Sequence, residues 1–183
     1  MKRVFAAIDI SEEVREDASN YINSLRLQFA AVPVKWEKPE KLHITVRFAG
    51  SVDEGEFGAF SKQIRDVAKT LAPFQMKIAN TGAFVKRRGP SVLWLGTQLV
   101  DAQIDPFTSL AKLHESSRPF RPHLTIARIR DPRRAKDLIE KHKVSEFEST
   151  PFEVGELVTY ESTLQPTGSV YTKLASFPLS GSS

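Results

Sequence analysis

Leu42-His43-Ile44-Thr45-Val46 and Pro122-His123-Leu124-Thr125-Ile126 decide how this chain is read. Both stretches carry His-aliphatic-Thr-aliphatic, and the two histidines stand 80 residues apart in a chain of 183. With 11 threonines in the chain, two of its four histidines would each precede a threonine by two places in roughly 2% of such sequences by chance. Matching aliphatic residues at the alternate positions make the coincidence about tenfold rarer. The pair is therefore read as an internal duplication, with each copy on a strand. Side chains alternate across a strand, so His43 and Thr45 share one face while Ile44 and Val46 turn to the core, and His123 and Thr125 stand likewise against Leu124 and Ile126.

The flanking sequence supplies the other elements. Arg3–Ile10 reads as a buried strand, and Ser11 caps a helix of about five turns carrying Val14, Ala18, Ile22, Leu25 and Phe29. A short strand at Val34–Trp36 precedes the strand Leu42–Phe48. Asp53 with Glu56 then forms a capping box for a second helix along Phe57, Phe60, Ile64, Ala68 and Leu71. Phe74–Val85 and Ser91–Thr97 form a hairpin around Lys86-Arg87-Arg88-Gly89-Pro90, whose basic tip either touches an anionic ligand or simply faces water. Ile104–His114 has a weaker helical pattern. Pro122–Ile129 is a strand, and Asp131-Pro132 caps a helix carrying Ala135, Leu138, Ile139 and His142. Phe152–Tyr160 and Val170–Phe177 close the chain as strands around Pro166-Thr167-Gly168. Several adjacent strands are joined by turns too short for a crossover, which predicts an α+β fold with an antiparallel or mixed sheet.

Composition excludes several classes. The chain has no cysteine, so a disulfide framework, a thiolate nucleophile and a cysteine-bound metal are ruled out. The balance of 26 Lys and Arg against 22 Asp and Glu gives a net charge of only +4, a mild hint of an anionic ligand. No signal-peptide pattern opens the chain and no apolar stretch approaches the roughly 18 residues of a membrane span. A cytoplasmic monomer with no membrane partner is expected.

Two imidazoles on matching strands suit in-line displacement at phosphorus. One removes a proton from the attacking oxygen while the other protonates the leaving oxygen, because a pKa of about 6.5 lets one be neutral and the other charged. The Thr45 and Thr125 hydroxyls can donate to the non-bridging oxygens. A metal site on these histidines is less favoured, since neither has Asp or Glu at ligand spacing on its strand. His114 and His142 have no partner motif and read as ordinary surface or half-buried side chains. Six of the 13 arginines, Arg118, Arg121, Arg128, Arg130, Arg133 and Arg134, fall within 17 residues around the second motif. Arg128 lies five residues after His123, which on an ideal strand puts it on the opposite face unless a bulge re-aims it.

His43-Ile44-Thr45-Val46-Arg47-Phe48-Ala49-Gly50 and Arg118-Pro119-Phe120-Arg121-Pro122-His123-Leu124-Thr125-Ile126-Ala127-Arg128 resemble the two signature motifs of the 2H phosphoesterase superfamily, in its LigT-like branch of RNA 2′,3′-cyclic phosphodiesterases, also called 2′-5′ RNA ligases. The resemblance extends through Arg3–Ile8, Gly82-Ala83-Phe84, Val92–Gly96 and Glu161 to Leu179. It implies a single bilobal domain over residues 1–183, a pseudo-twofold duplication in which two antiparallel sheets flank a central groove with helices outside, and two interleaved lobes carrying His43 and His123. It also implies hydrolysis of RNA 2′,3′-cyclic phosphate ends to 2′-phosphates without metal or other cofactor. His43 is then the general acid and His123 the general base, with Thr45, Thr125 and Arg128 on the phosphate. Phe48 occupies the place in the first motif that Arg128 has in the second, and packing against a base and filling the core are both open. The stretch between Gly96 and Arg118 is shorter than in typical relatives, which bears on RNA affinity more than on chemistry. Replacing water by a 5′-hydroxyl gives 2′-5′ ligation. The alternatives are a non-catalytic RNA- or nucleotide-binding module, and an enzyme acting on tRNA halves or a small cyclic nucleotide.

Overall fold

A computed structural model describes residues 1–86, 91–101, 104–114, 119–166 and 168–182. Among the described residues nine strands and four α-helices follow in the order β1 (Lys2–Asp9), α1 (Glu12–Gln28), β2 (Val34–Trp36), β3 (His43–Val52), α2 (Glu54–Ala68), β4 (Phe74–Phe84), β5 (Ser91–Leu99), α3 (Pro106–Ala111), β6 (His123–Ile129), α4 (Lys136–Lys143), β7 (Phe152–Val154), β8 (Glu156–Gln165) and β9 (Gly168–Pro178). The strands run β7-β4-β5-β6-β3-β1-β8-β9, with β2 beside β6, and the paired strands are antiparallel.

Two half-sheets are visible in that order. One is β3-β1-β8-β9; the other is β7-β4-β5-β6 with β2. They meet through one residue pair, Ile44 on β3 opposite Leu124 on β6, and both side chains are fully buried. Cutting either back to alanine would cost about 2–5 kcal/mol, at the point where the two histidine strands are held together. The chain weaves between the halves: β2 comes from the first part of the sequence but lies on β6, while β8 and β9 return from the end to lie beside β1.

The helices form where their caps and apolar spacing direct. The Ser11 side chain accepts from the Val14 N–H at 3.3 Å, and Val14, Ala18, Ile22 and Leu25 of α1 are buried. Asp53 and Glu56 make the reciprocal capping box at 2.9 and 2.8 Å, and α2 buries Phe60, Ile64 and Ala68. Three expectations are corrected. The Phe152–Tyr160 run is two strands: alternation slips across Gly155, so β7 pairs with β4 whereas β8 pairs with β1 and β9. The helix expected over Ile104–His114 is only Pro106–Ala111, because Asp105 caps it by accepting from the Thr108 N–H at 3.2 Å. Asp131 does not cap α4: its carboxylate accepts from the Arg133 N–H at 3.1 Å, making a turn, and the helix begins at Lys136. Arg87, Arg88, Gly89, Pro90, Arg118 and Thr167 lie outside the described residues. Among the described residues no helix is long and apolar enough to cross a membrane.

Candidate active site

A groove of about 480 Å³ runs between the half-sheets, and His43, Thr45, Phe48, His123, Thr125 and Arg128 all line it. The two histidines are held in the same way. His43 donates its Nδ1–H to the carbonyl of Lys41, and His123 donates its Nδ1–H to the carbonyl of Arg121, each at 2.7 Å and each two residues back along the chain. A carbonyl only accepts, so in the neutral ring Nδ1 carries the proton and Nε2 is left as the reactive nitrogen. Nε2 of His43 lies 3.0 Å from the Thr45 hydroxyl.

Arg128 reaches the groove because of a bulge. In the β5–β6 register Leu93 faces Ala127 and Trp94 faces Thr125, so Ile126 is the extra residue, and Ile126 and Ala127 are both fully buried. That step restores Arg128 to the face of His123 and Thr125. The first motif has the same step: Ala6 faces Arg47 and Ala7 faces Thr45, leaving Val46 unpaired. Phe48 is thereby brought to the groove in the position equivalent to Arg128. It is 63% exposed, which removes the core-filling reading, and its ring stands 5.6 Å from that of Phe5.

The surroundings of the two imidazoles differ. His43 stacks on Phe5 at 4.9 Å and meets the edge of Tyr171 at 5.4 Å; His123 meets the edge of Phe84 at 5.2 Å. Burial pushes both imidazoles below their ordinary pKa, and Arg128 adds to the push on each, while the bonds to the Lys41 and Arg121 carbonyls oppose it. For His43 the carboxylates of Asp9 and Glu37 also oppose it; among the described residues His123 has no such counterweight. Asp9 stands opposite His43 in the β1–β3 register, and its two oxygens lie 2.9 and 2.8 Å from the Tyr160 hydroxyl, which donates to the carboxylate. Glu37 pairs with Arg128 through Nε at 3.1 Å, and the two η nitrogens of Arg128 have no partner among the described residues.

Several lining residues carry no distinguishing signal in the sequence. Glu37 alternates with Lys35 on and just beyond β2, a period-2 signal too short to weigh. Lys41 precedes the first motif, and Tyr171 comes from β9, far away along the chain. His114 is half-buried as expected but lines the groove, 5.6 Å from the Phe120 ring. His142 is neither at the surface nor half-buried: it is fully enclosed. Its Nε2–H lies 3.1 Å from the carbonyls of both Gly82 and Trp94, and its Nδ1 accepts from the Tyr21 hydroxyl at 2.8 Å. This bridge ties α4 to the strands behind His123. A side chain at Gly82 would meet the Trp94 indole at 2.1 Å, so only glycine fits beneath that ring. Among the described residues no three His, Asp or Glu side chains cluster as metal ligands would.

The sequence matches the family of LigT-like phosphoesterases over residues 8–94 and 100–171. The chain belongs to that family. A Methanothermobacter thermautotrophicus protein named RNA 2′,3′-cyclic phosphodiesterase is 32% identical to this LigT-like phosphoesterase, with 97% of this chain and 98% of the relative covered. A Methanocaldococcus jannaschii protein of the same name is 33% identical over 92% of this chain and 96% of the relative. The crystal structure of E. coli LigT complexed with 3′-AMP superposes with a TM-score of 0.72 at 23% identity, covering 97% of this chain and 98% of LigT. These matches agree with the α+β fold and the family expected from the two motifs.

Proposed function

We propose that this LigT-like phosphoesterase hydrolyses RNA 2′,3′-cyclic phosphate ends to 2′-phosphates, with His43 as general acid and His123 as general base. The observation that carries the reading is the pair of Nδ1-anchored imidazoles facing one groove, each with a threonine two residues on. Membership of the family and the name shared by the relatives support the activity.

In this reading Nε2 of His123 takes a proton from water as the water oxygen bonds to phosphorus. The P–O3′ bond breaks, and Nε2–H of His43 delivers its proton to O3′, leaving a 2′-phosphate and a 3′-hydroxyl. His123 ends protonated and His43 neutral, and proton exchange with solvent resets both. Thr45, Thr125 and the η nitrogens of Arg128 donate to the non-bridging oxygens, where charge is concentrated in the transition state. Phe48 offers a ring face to the terminal base. Charge supports this division: burial lowers both imidazoles, but Asp9 and Glu37 favour a proton on His43, and among the described residues no carboxylate favours one on His123. The bound phosphate anion adds to that preference.

The chemistry needs no metal, and residues 1–183 act as one bilobal unit because each lobe supplies one imidazole. Water at about 55 M outcompetes a 5′-hydroxyl unless the second RNA end is held in place, so hydrolysis is the main reaction and 2′-5′ ligation its minor variant. Short RNA ending in a 2′,3′-cyclic phosphate, incubated with the enzyme and EDTA, should yield a 2′-phosphate. Loss of turnover with EDTA would end the metal-free reading, and a 3′-phosphate product would exchange the leaving group.

A further inference from the structure

A second depression adjoins the catalytic groove at Glu37. In the pairing of β2 with β6, Lys35 stands opposite Arg128, between the pairs Val34–Ile129 and Trp36–Ala127. Cross-strand partners share a face, so Lys35 projects to the same side as Arg128, and so does Glu37 two residues on. This second trough, of about 1070 Å³, lies along the edge of β2 between that strand and the end of α1, and shares Glu37 with the first. Arg26, Lys35 and Lys38 line it and are exposed, and Phe29 and Trp36 present half-buried rings to it. Glu37 is the only acid among its described lining residues, and Glu37 is already paired with Arg128. None of the three cations has a carboxylate within 4.0 Å among the described residues.

Uncompensated cations beside partly exposed aromatic side chains are a combination that holds single-stranded nucleic acid. The cations meet phosphates, and the rings stack bases of any identity. The rings favour a nucleic acid over an acidic protein, which would use the cations alone. We propose that this second trough binds the single-stranded RNA leading up to the reactive end, so that the enzyme acts on polynucleotide ends in preference to cyclic mononucleotides. The inference rests on the cyclic-phosphodiesterase reading of the first groove. It assigns Arg26, Lys35 and Lys38 to substrate choice and leaves bond-making and bond-breaking to the histidines.

The test compares kcat/KM for an oligoribonucleotide of about ten residues ending in a 2′,3′-cyclic phosphate with that for 2′,3′-cyclic AMP. Wild-type enzyme should prefer the oligonucleotide. In the combined Arg26→Gln, Lys35→Gln, Lys38→Gln variant that preference should fall about tenfold or more through KM, and the log–log salt slope should become shallower by about 2, from roughly 0.7 per lost phosphate contact. Lys35→Arg with Lys38→Arg should retain the preference. Equal efficiency on the two substrates in wild type would overturn the proposal, as would a triple variant that keeps the preference or slows both substrates alike. Failure to hydrolyse either substrate would instead remove the reading of the first groove. Fluorescence anisotropy with the same RNA would still report on the trough, with binding weakened about tenfold in the triple variant if the trough holds RNA and unchanged if it does not.

Discussion

On β3, His43 is followed by Thr45, a bulge at Val46 and an exposed Phe48; on β6, His123 is followed by Thr125, a bulge at Ile126 and an exposed Arg128. Each histidine is anchored to a carbonyl two residues back at 2.7 Å. The shared features fix position: apolar residues on the core face, one extra residue to turn the strand, and one hydrogen bond to set the tautomer. The differences lie in charge. β3 has Asp9 across from its histidine and an aromatic ring in the fifth place after it, whereas β6 has an arginine in that fifth place and no carboxylate acting on its histidine among the described residues. The two strands thus present similarly anchored imidazoles, and on the roles proposed for them their neighbours decide which one carries the proton.

The largest effect that would sharpen this comparison comes from removing the imidazoles. His43→Ala and His123→Ala should each lower kcat by about 10² to 10⁴ with thermal unfolding little changed, since both side chains stand on the groove and not in the core. A variant that keeps full activity would remove that histidine from the reaction. Next comes the fifth place. Arg128→Gln should cost about 10² to 10³ in kcat, while Phe48→Ala should act mainly on KM, by about tenfold, as loss of one base contact does. Equal effects of the two on kcat and KM would mean that the fifth places do not differ in function.

A smaller effect separates the two imidazoles by pH. The base must be neutral, so activity falls as pH drops through the pKa of His123, which burial and Arg128 hold below the ordinary imidazole value. The acid must be protonated, so activity also falls as pH rises through the pKa of His43. Asp9 raises that pKa, so Asp9→Asn should move the alkaline limb of the kcat/KM profile to lower pH and leave the acid limb in place. Movement of the acid limb alone would reverse the assignment. In the kcat profile the alkaline limb should stand at higher pH than in the kcat/KM profile, because bound phosphate stabilises the imidazolium.

Much of this was legible from residue order alone. Ser11, Asp53 and Glu56 mark helix starts by chemistry that acts within three residues, and His43 and Thr45 share a face by period. Arg128 shows where period arithmetic stops: Ile126 is an ordinary strand residue by type, and only the register against β5 shows it to be the extra one. Phe48 is apolar and alternation alone gave no reason to expose it; the bulge at Val46 turns it outward. The split at Gly155 depends on two different partner strands, and the burial of His142 depends on carbonyls from β4 and β5 and a hydroxyl from α1. Asp9 and Tyr171 reach His43 from β1 and β9, far away along the chain, a proximity set by sheet order.

The central claim is that His43 protonates the leaving oxygen while His123 activates water. It is tested most directly with a 2′,3′-cyclic phosphate substrate in which sulfur replaces the 3′ oxygen. A thiolate departs without a proton, so on that substrate His43→Ala should recover most of the rate it loses on the oxygen substrate, and His123→Ala should recover none. Recovery by His123→Ala, or by neither variant, would contradict the assignment.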